Sequence, residues 1–152
     1  MKLTLAAVGR LRPEYRTLAD EYAARVARFM ELSEVEVREA SWAPSPAVQL
    51  KEEASRLRDR IPAGSRLVVL DRTGKGLSSE ALAKELDQWR TAARTVTLLI
   101  GGSHGIAADL VAAADLAWSL GPLTLPHELA RVVVLEQLYR AWTILRGEPY
   151  HK

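Results

Sequence analysis

Short apolar runs alternate along this chain with stripes of apolar residues spaced three and four apart. Leu3–Val8 (LTLAAV), Leu67–Leu70 (LVVL) and Val96–Ile100 (VTLLI) are brief and nearly continuous in apolar character. A strand covered on both faces needs such a run, which points to a parallel sheet. Tyr15, Leu18, Tyr22, Val26 and Phe29 mark one face of a helix that opens at Pro13, whose fixed φ suits the first helical position. Leu50, Ala54, Leu57 and Ile61 stripe a second helix, closed by Pro62 and Gly64. A third carries Leu82, Leu86 and Trp89 and is capped by Ser78 or Ser79. Glu34–Arg38 (EVEVR) alternates apolar and charged residues and reads as a half-buried strand, followed by a Pro-broken loop at Ser41–Pro46. After Val96–Ile100 come a short helix around Ala107–Ala113, a short strand near Leu116–Trp118, and a long helix from His127 to Arg146. Gly147 stops that helix and Pro149 prevents its resumption. The order βαβαβαβαβα predicts one α/β domain over residues 1–152 with a mostly parallel sheet.

Composition narrows the chemistry. The 152 residues contain no cysteine, which removes disulfides, thiolate metal sites and cysteine nucleophiles. Any metal would have to be held by His104, His127, His151 and carboxylates, and none is expected. The N-terminal apolar run breaks at Gly9 and Arg10, far short of the ~20 residues of a membrane span. A cytoplasmic protein without a membrane partner is expected. Twenty-one basic residues stand against 19 acidic ones, a net charge of +2. Five of the 21 are lysine, and the arginine bias suits phosphate contact only as a weak cue.

Ligands of open α/β sheets bind at the carboxyl ends of the strands. Three loops lie there: Asp71–Gly76, Gly101–Gly105 and Ser119–Pro126. Gly101-Gly102-Ser103-His104-Gly105 matches G-x-S-x-G, the nucleophile elbow of α/β-hydrolases, and Asp109 or Asp115 with His127 or His151 supplies the order Ser…Asp…His. Too few strands follow for that fold, and the glycines have a simpler use in letting backbone approach a ligand. Neither a dinucleotide fingerprint nor a P-loop is present. The loop SLGPLTLP is apolar where connectors are usually polar. It is either packed under the last helix or a backbone-lined seat for a flat apolar ligand such as an adenine.

The last helix carries Leu135, Leu138, Trp142 and Leu145 with Val132, Val133, Val134, Tyr139 and Ile144 around them. So wide an apolar circumference predicts burial on more than one side, here by a second subunit. Glu136 and Arg140 are spaced to pair, and His127 and Arg131 share a face at the helix start. The tail Glu148-Pro149-Tyr150-His151-Lys152 gathers an aromatic, an imidazole and an ammonium.

Together, IGGSHG, WSLGPLTLPHELARVVVLEQLYRAWTILRGEPYHK, the opening MKLTLAAVGRLRPEY and the middle VVLDRTGKGLSSEALA resemble the RlmH (YbeA-like) family of SPOUT-superfamily methyltransferases. The resemblance covers nearly the whole chain and departs at WAPSPA in residues 41–47. It implies an α/β fold with a C-terminal trefoil knot, a homodimer packed through the last helix, and no metal. It implies S-adenosylmethionine held by Leu70, Gly101, Gly102, Leu120, Gly121, Pro122, Leu123, Thr124 and Leu125. The implied reaction methylates N3 of a pseudouridine in large-subunit (23S) ribosomal RNA, on the assembled ribosome. His151, Tyr150 and Arg140 are the expected catalytic residues, and His127 and Arg131 the expected RNA contacts. A serine hydrolase and a non-catalytic RNA-binding module are the competing classes.

Overall fold

The computed structural model describes residues 1–152 as β1 (Lys2–Val8), α1 (Pro13–Val26), β2 (Glu31–Val37), α2 (Pro46–Arg58), β3 (Arg66–Gly76), α3 (Ser79–Thr91), β4 (Val96–Ile100), α4 (Ala108–Ala113), β5 (Leu116–Ser119) and α5 (His127–Leu145). All strands pair in parallel, in the order β2-β1-β4-β3-β5. The sequence patterns follow from that order. The central strand β4 is buried at every position, whereas β2 lies on an edge and alternates.

Helices α1, α3 and α5 cover one face of the sheet. Their Ala19, Val26, Leu82, Leu86, Trp89, Leu135 and Leu138 pack on Leu3, Leu5, Leu98 and Ile100. Helices α2 and α4 cover the other, where Ala54, Leu57 and Leu110 pack on Ala6, Val8, Val69 and Leu99. Each fully buried leucine contributes roughly 2 kcal/mol. Ser45 caps α2 by accepting the Val48 N–H at 3.3 Å, and Ser78 caps α3 by accepting the Ala81 N–H at 3.1 Å.

Three expectations are corrected. Strand β2 begins at Glu31 rather than Glu34, and α2 ends at Arg58, short of Ile61. The segment Asp71–Gly76 is not a free loop but the end of β3. That strand pairs with β5 at Val68–Leu70, swings outward, and pairs again at Lys75 and Gly76. Helix α5 is covered on two sides within the chain itself. It packs against both α1 and α3, and no residue from His127 to Leu145 is exposed.

The outward swing of β3 brings backbone against backbone. A Cβ on Gly74 would collide with the Ala117 carbonyl, whereas one on Gly76 would meet nothing within 4 Å. We therefore expect Gly74→Ala to destabilise the fold by at least about 2 kcal/mol in chemical denaturation, and Gly76→Ala by much less. Equal effects at the two positions would contradict the close packing of β3 on β5.

Candidate active site

A cleft opens at the carboxyl ends of β3, β4 and β5. Leu70, Gly101, Gly102, Leu120, Gly121, Leu123, Thr124 and Leu125 line it, with Asp71, Arg72, Ile100, Gly105, His127 and Ala130. Pro122 is not among the lining residues and points to solvent. The glycines are there for steric reasons. A Cβ on Gly101 would strike the Gly105 carbonyl, and Gly105 takes a φ of +79°, which disfavours other residues. Ser119 fastens the apolar loop: its Oγ accepts the Gly121 N–H at 3.1 Å and lies 3.2 Å from the Arg72 carbonyl. The wall is therefore mostly backbone and aliphatic side chain. Leu123 is left 75% exposed beside this cleft, apolar surface that a flat ring can cover.

Asp71, Arg72 and Ala130 are lining residues that pattern-reading did not single out one by one. Asp71 and Arg72 belong to the expected ligand loop at the end of β3. Ala130 follows His127 by one helical turn and so faces the same way. Asp71 accepts the Thr73 N–H at 2.8 Å, which stiffens the outward swing of β3.

The hydrolase arrangement does not form. Ser103 is exposed, and its hydroxyl donates to Glu39 at 3.3 Å rather than to a histidine. Asp109 pairs with Arg58, and Asp115 accepts the Leu67 N–H at 2.7 Å. No three His, Asp or Glu side chains are grouped to hold a metal, and no helix is long and apolar enough to cross a membrane.

His127 lines the cleft at the start of α5, but Arg131 does not present a free guanidinium. Arg131 is 1% exposed and donates to Glu36 at 2.7 Å and to the Gly9 carbonyl at 2.9 Å. Arg140 donates to Glu136 at 2.6 Å and lies over the Tyr150 ring. The Glu136 hydrogen bond raises the Arg140 pKa against the opposing effect of burial. The Tyr150 hydroxyl donates to Glu136 at 3.0 Å, and burial followed by that bond pushes the phenol well above its ordinary value. Tyr150 is thus a neutral donor throughout the physiological range. His151 Nε2 lies 2.9 Å from Glu80 in the first turn of α3, and its Nδ1 is buried without a partner. The tail therefore docks beside Glu136, six residues beyond Ala130, where α5 leaves the cleft, and roughly 9 Å further down the helix.

A five-stranded parallel sheet with a glycine-walled cleft at its carboxyl edge and a final helix running back from that cleft is the architecture of SPOUT methyltransferases. A tRNA (m1G37) methyltransferase from Aquifex aeolicus superposes with a TM-score of 0.57 at 13% identity, over 92% of this chain and 70% of that one. A methyltransferase from Legionella pneumophila, solved with bound SAM, superposes at 0.51 and 14% identity, over 93% and 66%. Residues 1–151 match the family model described as "Predicted SPOUT methyltransferase", and the chain belongs to that family. Proteins named ribosomal RNA large subunit methyltransferase H from Pseudomonas putida and Azotobacter vinelandii are each 43% identical over 155 aligned residues, covering the whole of both chains.

Burial raises the pKa of Glu36, but the hydrogen bond and charge of Arg131, joined by Arg16, outweigh it and hold the carboxyl below its usual range. A carboxyl lowered in the folded state stabilises the fold above its unfolded pKa of about 4.3 and loses that stabilisation as pH falls through the lower folded value. Arg131→Ala should cost about 2 kcal/mol at neutral pH, the weight of its charge-assisted hydrogen bonds, and reduce the loss of stability below about pH 4. Denaturation curves across that range check both effects. An unchanged acid limb would exclude Arg131 as the main support of the Glu36 charge.

Proposed function

We propose that this protein methylates N3 of a pseudouridine in large-subunit (23S) ribosomal RNA, on the assembled ribosome and with S-adenosylmethionine as donor. The observation that carries this reading is the full-length similarity to ribosomal RNA large subunit methyltransferase H. The cleft supports it, because eight of the nine residues expected to hold the cofactor line this one cleft. S-adenosylmethionine supplies a methyl group on a sulfonium, already a good leaving group. The backbone of residues 120–125, with that of Gly101 and Gly102, would hold the cofactor, its N–H and C=O groups facing the adenine edge.

What the protein must add is alignment and removal of the imide proton. His151 takes the N3 proton or positions the base. Tyr150 stacks on or donates to the nucleobase, and Arg140 and His127 contact the RNA. Arg131 acts through position, fixing the start of α5 against Gly9 and Glu36. The separation of tail and cleft within one chain supports a homodimer in which each tail completes the other subunit's site. We also infer that the C-terminal segment is threaded as a trefoil knot. The contact of Gly74 with the Ala117 carbonyl and of Ser119 with the Arg72 carbonyl, where β5 passes the swing of β3, supports this path. The protein works in the cytoplasm, where its substrate is made.

Mass spectrometry of ribosomal RNA from a strain lacking the gene tests the reading. One methylated pseudouridine should disappear and return with the wild-type gene. His151→Ala should lower methylation by about a hundredfold or more, and removal of residues 150–152 should abolish it. Ser103→Ala should leave it intact. Unchanged 23S RNA in the deletion strain would sink the assignment, and full activity without the tail would sink the role of His151.

A further inference from the structure

A second groove lies beside the cofactor cleft, at the carboxyl ends of β1 and β2, lined by Gly9, Arg10, Arg38, Glu39 and Ser41 among others. The two are adjacent. Gly9 sits against His127, so that a Cβ on it would be 3.6 Å from Nε2, and Ser103 of the glycine loop donates to Glu39. Of the acids of the groove, Glu36 is paired, accepting from Arg131 at 2.7 Å and from Arg16 at 2.6 Å, while Glu39 accepts only from the neutral Ser103 hydroxyl and keeps its charge. The guanidiniums of Arg10 and Arg38 are exposed and make no ion pair. The groove thus offers two unpaired positive charges against one unpaired negative charge.

At its rim the chain makes a tight turn, closed by the Ala43 N–H on the Ala40 carbonyl at 3.0 Å, with Ser41 and Trp42 at the apex. Trp42 is 61% exposed, while Trp89, Trp118 and Trp142 are all buried. The turn is braced from α2. Buried Glu53 accepts the Ala40 N–H at 3.0 Å, and Arg56 donates to the Arg38 carbonyl at 2.5 Å. Pro44 and Pro46 further limit the backbone. The indole is therefore held out in water by a stiff support, at the rim of the groove that carries the free arginines.

We propose that Trp42 is a stacking platform for an unpaired base of the RNA substrate, with Arg10 and Arg38 holding the neighbouring phosphates. An indole face accepts any base, and guanidinium pairs well with phosphate. The platform positions RNA at the cleft and touches neither the methyl donor nor the reacting nitrogen. This inference rests on the ribosomal RNA reading above.

Purified large ribosomal subunits are the probe, with binding measured by co-sedimentation and methyl transfer measured separately. Trp42→Ala should weaken binding and raise KM for subunits by roughly tenfold, the weight of one stacked base, with kcat and S-adenosylmethionine affinity unchanged. Trp42→Phe should recover most of the loss. The Arg10→Ala, Arg38→Ala double variant should flatten the salt dependence of binding by about two phosphate contacts. Wild-type protein that binds subunits without methylating them would overturn the proposed reaction, and the binding arm still decides the platform. Trp42→Ala that binds like wild type overturns the platform and leaves the reaction standing. Weaker binding by Trp42→Ala with an unaltered salt slope in the arginine variant identifies a protein contact and also overturns it.

Discussion

A buried guanidinium ties the last helix to the sheet. Arg131 reaches from the second turn of α5 to the Gly9 carbonyl at the end of β1 and to Glu36 near the end of β2. That one contact sets the height at which α5 starts, and hence where His127 stands beside the cleft. It also sets the level at which the far end of α5 turns back, so the tail meets Glu136 and Glu80 rather than the cleft. An ion pair this enclosed adds little net stability over a well-packed apolar pair. Its effect is registry: with Glu36 removed, the buried Arg131 is left charged in a poor solvent.

The cleft is a product of close backbone approach. Gly101 fits only because the Gly105 carbonyl has no side chain to avoid, and Gly74 lets β3 swing out and return against β5. The apolar loop after β5 then hangs from Ser119. A wall made this way presents backbone N–H and C=O groups and aliphatic surface, with Asp71, Arg72 and His127 as its charged or ionisable side chains. It suits recognition by shape and by directional hydrogen bonds. The catalytic side chains proposed for this family member lie elsewhere, on a tail that folds away from its own cavity.

Much of the fold was legible because strand burial writes itself into composition. β4 has neighbours on both sides and helices on both faces, so VTLLI can hold no charge, and edge strand β2 can afford EVEVR. The cofactor loops were legible from their place after strands and from glycines no strand or helix would choose. The environment of α5 was not. Apolar residues around a helix report that it is covered, not by what, and α1 and α3 cover it here. The partner of Arg131 was equally hidden, since Glu36 is 95 residues away and reads as the solvent side of an alternating strand. The double pairing of β3 with β5 was missed for a related reason. Gly and Lys at 74–76 look like turn residues, and only the tertiary neighbour makes them strand.

The strand order also bears on how the chain assembles. β1 pairs locally with β2, but its other neighbour is β4, nearly a hundred residues later, and β3 reaches β1 only through β4. A growing chain that has exposed β1, β2 and β3 owns two fragments of sheet with no shared hydrogen bonds. Residues 96–100 join them, and α5 then closes a face that has been open since the first helix formed. Long-range pairings of this kind slow folding, because the entropy of closing the chain is lost before the contacts return it. The apolar middle strand that stabilises the finished protein is also the piece whose late arrival leaves the early strands waiting.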